Sequence, residues 1–262
     1  MAFSLHRGST PILISTPHAG IEVPDAISAR FTDAGRAVGD TDWHLEKLYD
    51  FAPPLGLSLL CSQFSRYVVD LNRSPDNASL YPGQNVTELC PTTSFDMEPL
   101  YLSGDEPSED EIKERVERYW RPYHDALSAE IERIKADHGY CILFEGHSIR
   151  HEVTRFFDGK LRDLNWGTNH GASADPKLID FIYDSTKNHA PNLTQVTNGR
   201  FKGGYITRQY GDPAAQIHAV QLEMAQRVYM DESPPYLWDV ERAKATKLML
   251  KSLFQDLISL KL

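Results

Sequence analysis

The chain has 262 residues, of which 41% are hydrophobic and 24% are charged, a composition typical of a globular enzyme with one large core. Its 27 basic and 37 acidic residues give a formal net charge of −10, which argues against a nucleic-acid backbone or an anionic membrane as a partner. The three cysteines lack the spacing of a disulfide framework or a zinc motif, and no apolar run has the length of a signal peptide or a membrane span, so we expect a cytoplasmic protein.

The first part of the chain alternates between predicted strands and helices. Residues 11–16 form an apolar run that predicts a buried strand, and residues 42–51 have the pattern of a helix that starts near Asp42. Residues 57–61 and 66–71 predict two further strands. This alternation favours an α/β fold, and because no linker or repeat interrupts the sequence, we predict a single domain over residues 1–262.

A long stretch rich in proline and glycine follows. Residues 74–107 predict an extended ordered loop or lid that covers a site. Ser108 and Glu111, three residues apart, have the pattern of a capping box and open an amphipathic helix that runs towards His138. Pro122 is predicted to kink or split this helix, because proline lacks the backbone N–H that a helix interior needs.

The last part of the chain predicts one irregular region, one strand and one helix. Residues 146–176 are expected to form a polar loop region outside the core. Residues 216–223 alternate between apolar and polar side chains, which predicts a strand that ends at Glu223. Residues 241–260 place their leucines on one helical stripe, which predicts a helix packed on the sheet.

Two histidines occupy matched positions at the ends of apolar runs. His18 follows the run at residues 12–16, and His147 follows the run at residues 141–144. Strands with continuous apolar runs are usually buried on both faces, and in open α/β sheets the ligand crevice lies where such strands end. We therefore predict that His18 and His147 meet at one edge of the sheet as ligands of a metal ion.

A catalytic zinc site typically has three protein ligands and one open water position, so a carboxylate is expected beside the two histidines. The candidates are Glu22, Asp40 and Asp42. Glu22 lies four residues after the first histidine, but Gly20 and Pro24 argue against the continuous helix that would bring the two side chains together. Asp42 stands at the predicted start of a helix and is the preferred third ligand.

Residues 66–73 combine an apolar run with charged and amide side chains at both ends. Arg73, with help from Asn72, is suited to a bidentate clamp on a carboxylate, since the planar guanidinium fork matches carboxylate geometry. Arg66 is predicted to face the reacting carbonyl. A surface arginine and an ion pair that closes a turn are the alternative for each of these residues taken singly.

Residues 200–211 and the strand after them supply further candidates. The paired Gly203 and Gly204 permit close backbone approach to a ligand, although a glycine-rich turn or bulge explains them equally well. Lys202 and Arg208 add positive charge beside them. Glu223 offers a carboxylate that can take a proton from a water molecule whose pKa a metal has lowered, with a structural ion pair as the alternative.

An ordered set of motifs extends over nearly the whole chain, from about Ile12 to Glu232. The motifs are Pro17-His18-Ala19-Gly20, Asp40-Thr41-Asp42-Trp43-His44, Ser65-Arg66-Tyr67, Asp70-Leu71-Asn72-Arg73, His147-Ser148, Asn198-Gly199-Arg200-Phe201-Lys202-Gly203-Gly204 and His218-Ala219-Val220-Gln221-Leu222-Glu223. Together they resemble the N-formylglutamate amidohydrolase family. That family is similar in fold to zinc carboxypeptidases and aspartoacylase, which implies a mixed twisted sheet flanked by helices.

The resemblance implies hydrolysis of N-formyl-L-glutamate to L-glutamate and formate, as in histidine degradation. It implies one Zn²⁺ per chain, with Co²⁺ or Mn²⁺ as substitutes, and a small anionic N-acyl amino acid as partner. In the related enzymes an Asn-Arg pair binds the substrate carboxylate and an upstream arginine polarises the scissile carbonyl, positions that Asn72, Arg73 and Arg66 match. The side-chain carboxylate of the substrate then falls to Arg208, with Lys202 or Arg150 as alternatives.

The sequence departs from the related enzymes at two places. Their carboxylate ligand lies three residues after the first histidine, where this chain has Ile21, and the residues before His147 are Glu145-Gly146 instead of an aspartate and a small residue. Two other functions stay open at this point: a zinc amidohydrolase for another N-acyl acidic amino acid, such as an aspartate derivative, and a non-catalytic protein that binds an acidic amino acid. The second of these would need neither a metal nor a base.

Overall fold

A mixed sheet of seven strands forms the centre of the structure, a computed structural model that describes residues 2–78 and 86–260. The strands are β1 (Phe3–His6), β2 (Ile12–Thr16), β3 (Ser58–Ser62), β4 (Cys141–Ile149), β5 (Leu164–Gly167), β6 (Gln195–Thr197) and β7 (Ile217–Ala225). Their order across the sheet is β1-β3-β2-β4-β7-β5-β6. The central strands β3, β2, β4 and β7 are parallel, whereas β1 pairs with β3 and β5 pairs with β7 in the antiparallel sense.

Eight α-helices accompany the strands in the described part of the chain. They are α1 (Asp25–Ser28), α2 (Asp33–Ala37), α3 (Leu45–Leu48), α4 (Glu109–Arg115), α5 (Arg121–His138), α6 (Pro176–His189), α7 (Tyr205–Tyr210) and α8 (Val240–Ser259). A π-helical turn, Val116–Trp120, joins α4 to α5. Short 3₁₀ turns lie at Pro53–Leu55, Asn169–Gly171, Pro213–Ala215 and Gln226–Val228. None of these helices is long and apolar enough to span a membrane.

The sheet is buried on both faces, because helices cover each of them. Ile12 and Phe144 belong to the core cluster that includes the apolar stripes of α6 and α8. Leu13 and Leu143, their neighbours in the sequence, point the other way and belong to the cluster that includes α5. Adjacent residues of a strand point to opposite faces, so the continuous apolar runs of β2 and β4 supply both cores at once.

The predicted α/β fold is confirmed, and so are its central strands and long helices. Strands observed at β2, β3 and β7 coincide with the predicted runs within two residues, and α8 coincides with the predicted C-terminal helix. Ser108 caps α4 by accepting a hydrogen bond from the Glu111 backbone N–H (3.3 Å). The break expected near Pro122 takes the form of the π-helical turn, and Pro122 itself stands in the first turn of α5.

The helix predicted over residues 42–51 is much shorter than expected. Only Leu45–Leu48 is helical, because His44 has a left-handed backbone conformation (φ 62°) that a continuous helix does not accept. Asp42 therefore lies three residues before the first residue of the helix, Leu45. Its backbone N–H donates to the His18 carbonyl (3.0 Å), which ties this loop to the end of β2.

The strand predicted over residues 66–71 is wrong. The segment is a buried turn in which Arg66 Nη2 donates to Asp70 Oδ2 at 2.6 Å. Side chains four residues apart in a strand lie about 13 Å apart, so this ion pair requires a folded-back backbone. The apolar run that suggested a strand, Tyr67 to Val69, instead fills the core under α4 and α5.

The prediction that residues 146–176 lie outside the core is wrong for two parts of this segment. Gly146 to Ile149 continue β4, and Leu164–Gly167 forms the buried strand β5. Of their buried polar residues, His147 and Ser148 line the cavity described below, and Asn165 donates to the Arg162 and Glu223 carbonyls. The lid predicted over residues 74–107 contains no regular helix or strand among its described residues, and its part from 79 to 85 lies outside the described chain.

Candidate metal centre and cavity

Neighbouring strands bring the two predicted histidines and Glu223 together. His147 lies inside β4, directly opposite Glu223 on β7 in the parallel register, and His18 follows the end of β2 on the other side of β4. The ring centroids of His18 and His147 are 4.9 Å apart. The nitrogen and oxygen atoms that His18, Asp42 and His147 offer all lie within 4.8 Å of one another, and all three residues are buried. This is a cluster with the size and donor types of a metal site.

The three carboxylates considered as third ligand lie in different places. Asp42 stands between the histidines, and its Oδ2 also accepts a hydrogen bond from the Ser148 backbone N–H (3.2 Å). Asp40 is buried nearby, but its Oδ2 accepts from the Phe95 backbone N–H (2.8 Å), and burial raises its pKa to about 6. Glu22 is exposed and lies in a surface groove beside Phe64. The geometry thus favours Asp42.

His18 is held in one tautomer by Asp70. Its Nε2 lies 2.7 Å from Asp70 Oδ1, and an ionised carboxylate only accepts, so Nε2 carries the hydrogen and Nδ1 presents its lone pair towards Asp42 Oδ2 at 3.8 Å. Burial, followed by the charge of Arg66, lowers the pKa of His18 to about 4. A neutral imidazole with a fixed outer hydrogen bond is the form that ligates metals.

His147 also lies between two carboxylates, but its Nε2 has a second neighbour, the Asn72 amide nitrogen at 3.1 Å. Its Nδ1 lies 3.1 Å from Asp42 Oδ2, while its Nε2 lies 3.3 Å from Glu145 Oε2 on the same face of β4. Burial opposes the charged imidazolium, but the hydrogen bonds with Asp42 and Glu145 outweigh it and raise the pKa of His147 to about 10. A cation that binds Nδ1 therefore displaces a proton. Ser15 Oγ donates to the other oxygen of Glu145 (2.8 Å) and fixes its orientation.

Glu223 faces the same cluster from β7. Its Oε2 accepts a long hydrogen bond from Gln221 Nε2 (3.3 Å), and Gln221 in turn accepts from the Gly204 backbone N–H through Oε1 (2.7 Å). Burial raises the pKa of Glu223 to about 8, against the opposing charge of His147. A buried carboxyl with a raised pKa beside candidate metal ligands is a candidate for a general base.

Arg66 lies against the cluster and against Phe95. Its guanidinium pairs with Asp70 and is stacked over the Phe95 ring at 5.0 Å from the centroid, and the side chain is buried. Its Nε is buried and has no hydrogen-bond partner in the described structure. Burial opposes ionisation of Asp70, but Arg66, His18 and Arg73 outweigh it and hold the pKa of Asp70 well below its usual value. The Arg66 side chain lies in the wall of the cavity described next.

A cavity of about 290 Å³ opens in front of the cluster. Its wall includes His18, Asp42, His147, Glu223, Arg66, Asn72 and Arg73, together with residues of the predicted lid and of the turn before α7. Pockets for small ligands start at about this size. Four cations line it among the described residues, namely Arg66, Arg73, Arg200 and Lys202.

Asn72 and Arg73 are both held by their surroundings. The Asn72 side-chain amide lies between His147 Nε2 (Nδ2, 3.1 Å) and the Ile206 backbone N–H, which donates to Oδ1 (2.9 Å). Arg73 donates from Nε and Nη2 to the carbonyl and hydroxyl oxygens of Thr87 (3.1 and 3.0 Å). The predicted clamp therefore lies at the cavity, and Thr87 orients its arginine.

The predicted partners of a second carboxylate occupy different positions. Lys202 lines the cavity, and so does Arg200, whose Nε donates to the Phe156 carbonyl (2.7 Å). Arg208 is not among the described residues of the cavity wall, and its Nε donates to the Gly203 carbonyl (2.8 Å). Arg150 forms an ion pair with Asp96 (2.8 Å) and is also absent from that wall.

The paired glycines of the turn do make a close backbone approach, but to a protein side chain. A Cβ at Gly204 would overlap the amide group of Asn72, so only glycine lets the turn approach Asn72 this closely. Gly203 has a positive φ of 107°, which favours glycine there as well.

Three residues of the site were not assigned roles from the sequence. Asp70 and Glu145 hold the outer nitrogens of the two histidines, and Arg200 adds a cation to the cavity. The sequence is enough to predict that Glu145 lies beside His147, because residues two apart in a strand share a face and Glu145 precedes His147 by two. The contact of Asp70 with His18 could not be predicted in this way, because the segment that carries Asp70 was predicted as a strand. Ile21, which occupies the position where the resemblance implied a carboxylate ligand, is 54% exposed.

Comparisons with known proteins identify the family of this chain. Residues 10–230 match the sequence profile of the N-formylglutamate amidohydrolase family. Two proteins named N-formylglutamate deformylase, from Pseudomonas putida and Pseudomonas aeruginosa, are each 46% identical over 256 residues, which cover 98% of this chain and 95% and 96% of theirs. A crystal structure of N-formylglutamate amidohydrolase from Ralstonia eutropha JMP134 is similar in fold, with a TM-score of 0.84 at 24% identity over 97% of this chain and 96% of that one.

Proposed function

The chain belongs to the N-formylglutamate amidohydrolase family, and on that premise we propose that it hydrolyses the formamide bond of N-formyl-L-glutamate to give L-glutamate and formate. The observation that carries the proposal is the arrangement of one cavity, which combines a buried His-Asp-His cluster, a buried carboxylate opposite it and four cations. A substrate with two carboxylates and a hydrolysable amide matches all three features. Both Pseudomonas relatives are named for this activity.

We propose His18, Asp42 and His147 as the ligands of one divalent ion, with Zn²⁺ first and Co²⁺ or Mn²⁺ as substitutes. The donor set fits such an ion, because each histidine directs Nδ1 to Asp42 and has its Nε2 beside a carboxylate. When bound there, the ion supplies Lewis-acid polarisation of a carbonyl and lowers the pKa of a water molecule.

The residues around the cluster divide the hydrolysis between them. Glu223 takes a proton from the attacking water, and the oxygen of that water forms a bond to the formyl carbon. Arg66, whose side chain lines the cavity, donates to the oxygen that becomes negative in the tetrahedral state. Glu223 then passes the proton to the amide nitrogen, the C–N bond breaks, and L-glutamate and formate leave.

The cations of the cavity hold the two carboxylates of the substrate. Asn72 and Arg73 bind the α-carboxylate, since both lie beside the cluster and Thr87 already orients the guanidinium. Arg200 and Lys202 are placed to meet the side-chain carboxylate. Arg208, the residue preferred from the sequence, then supports the turn through its bond to the Gly203 carbonyl.

The proposal is tested by formate release from N-formyl-L-glutamate, measured beside N-formyl-L-aspartate and N-acetyl-L-glutamate on protein of assayed metal content. We expect turnover of N-formyl-L-glutamate that is lost on chelation and restored by Zn²⁺. Preference over the aspartate compound is expected to be modest, because one methylene is worth only about 1–3 kcal/mol in a pocket. Turnover of N-acetyl-L-glutamate alone, or turnover of N-formyl-L-glutamate that survives complete removal of metal, would refute it.

We place this activity in the cytoplasm. The three cysteines are free and buried in the described structure, as expected for a reducing compartment. A dianionic substrate reaches the cavity on an otherwise acidic protein because the cations are gathered around that opening.

A further inference from the structure

One helical face holds the main chain of the segment that carries Asn72 and Arg73. Arg115 donates to the Val68 carbonyl from Nη1 (3.0 Å), His124 Nε2 donates to the Leu71 carbonyl (2.8 Å), and Trp120 Nε1 donates to the Arg73 carbonyl (3.0 Å). Each of the three side chains is buried. We call Arg115, Trp120 and His124 the helix clamp.

The π-helical turn makes this alignment possible. In a regular α-helix, residues five apart point about 140° away from each other, so Arg115 and Trp120 would lie on different faces. The π-helical turn Val116–Trp120 inserts a wider turn between them, and both side chains then reach the same segment. Such turns are rare and occur frequently at functional sites. Trp120 and His124 follow at ordinary helical spacing and stack on each other, with ring centroids 3.6 Å apart.

His124 also connects the clamp to the opposite side of the cavity. Because its Nε2 donates to a carbonyl, its Nδ1 accepts, and the donor is the Tyr210 hydroxyl at 2.9 Å. Burial lowers the pKa of His124 to about 4, so the ring stays neutral and keeps this tautomer. Tyr210 ends α7, the helix whose Ile206 backbone N–H donates to the Asn72 amide. The clamp thus fixes both the main chain and, through α7, the side chain of Asn72.

We infer that Arg115, Trp120 and His124 are positioning residues for substrate binding, which hold Asn72 and Arg73 in the orientation that binds the α-carboxylate. The role of Asn72 and Arg73 in this inference rests on the proposed function. That the helix clamp restrains the main chain of residues 66–73 does not depend on it. None of the three side chains is among the described residues of the cavity wall, so they act through the carbonyls and not on the substrate.

Trp120→Phe and His124→Leu test the inference, because each removes a donor to a carbonyl. We expect faster amide hydrogen exchange in the peptide that contains residues 66–73, and a rise of about three- to tenfold in KM for N-formyl-L-glutamate, since a typical buried hydrogen bond contributes that much. The value of kcat should change less than twofold, and metal content should stay at the level of the wild type. His124→Gln, whose side-chain amide can still donate to the Leu71 carbonyl, should have a KM close to that of the wild type.

Two controls separate positioning from general loss of structure. Trp238→Phe removes an indole from a half-buried tryptophan elsewhere and should change neither exchange in residues 66–73 nor KM. In an Arg73→Gln background, Trp120→Phe should add no further rise in KM, because residues that act through each other are not additive.

The outcomes distinguish this inference from the proposed function. Unchanged exchange and unchanged KM in Trp120→Phe and His124→Leu would overturn it, and so would a full additional effect in the Arg73→Gln background. If the wild type does not hydrolyse N-formyl-L-glutamate, the proposed function fails. The exchange data then decide the clamp alone: faster exchange upholds it, and unchanged exchange overturns it.

Discussion

Two segments border the cavity and differ in how they are held. Every residue from 66 to 72, the inner wall, is buried, and side chains of the helix clamp bind the carbonyls of Val68 and Leu71 within it and of Arg73 next to it. Residues 199–204, the outer rim, are mostly half-buried and are anchored at a few points, such as the bond from the Asn169 N–H to the Lys202 carbonyl. Both segments carry arginines, but Arg66 of the inner wall is buried, whereas Arg200 of the outer rim is half-buried.

The difference suggests a division of labour. Groups that stabilise charge in a transition state are most effective when their orientation is set before the substrate arrives, and burial strengthens their electrostatic effect. Arg66 lies in such surroundings, whereas Arg73 is half-buried and is oriented by its bonds to Thr87. Cations at a partly hydrated rim gain less from each contact, so they suit recognition of the far end of a substrate.

The largest expected effect concerns the metal. Asp42→Asn removes a charged oxygen from the cluster of His18, Asp42 and His147, and we expect loss of stoichiometric Zn²⁺ together with loss of activity. Asp40→Asn and Glu22→Gln are matched controls that should keep full metal content. Metal analysis after gel filtration is the measurement. Full Zn²⁺ in Asp42→Asn with loss in Glu22→Gln would mean that the wrong carboxylate has been assigned.

The next largest effect concerns Glu223, the proposed general base on β7. Glu223→Gln keeps the shape of the side chain but cannot take a proton, so kcat should fall by about 10²- to 10⁴-fold while Zn²⁺ stays bound. Glu114→Gln, a change in an exposed ion pair of α4, is the control. Turnover of Glu223→Gln within a fewfold of the wild type, at unchanged metal content, would exclude Glu223 as the general base.

An intermediate effect on stability comes from the helix clamp. His124 has a pKa of about 4 in the folded chain against 6.5 in its ordinary state. The unfolded chain therefore binds more protons between these values, so the free energy of unfolding falls as pH drops from about 6.5 to 4, by about 3 kcal/mol from this residue. Denaturant titrations of wild type and His124→Gln check it. The variant should show a smaller fall with pH, and parallel curves would contradict the assignment.

The smallest effect concerns the outer rim. Arg200→Gln and Lys202→Met should each raise KM by about tenfold with little change in kcat, since each removes one partly hydrated contact to a carboxylate. Arg208→Gln, on the same turn but outside the described cavity wall, should raise KM less. Initial-rate kinetics settle the order. A larger rise for Arg208→Gln would restore the assignment made from the sequence and weaken the contrast between wall and rim.

The fold could be predicted from the sequence where the pattern of apolar residues extends over enough positions to identify a strand or a helix. Strands β2 and β7 and helix α8 have such patterns, and so does the helical region after Ser108. Residues 66–71 misled because an apolar run packs equally well as a strand or as a buried turn, and the choice depends on the distant contact with α5. Parts of residues 146–176 were predicted to be exposed loop and are instead buried strand, because polar residues such as His147 and Ser148 line a buried cavity.

Most candidate site residues could be recognised from the sequence, but their contacts could be predicted only in part. His18 and His147 are recognisable by their places at strand ends, and Glu223 by the strand that carries it. The outer partners Asp70 and Glu145 depend on which side of each imidazole faces the cluster. The choice between Arg208 and Lys202 depends on the path of a glycine turn, which local sequence does not specify.

The pairing of β4 with β7 has a consequence for folding. Both strands are buried on both faces, so their apolar residues alone distinguish poorly between neighbouring registers. A slip by one residue would turn either His147 or Glu223 from the polar cluster into the apolar core, where an unpartnered ionisable group is costly. The residues proposed to perform the hydrolysis thus also make the wrong register of the two central strands unfavourable. A variant with apolar side chains at His147 and Glu223 is expected to misfold more often as well as to lose activity.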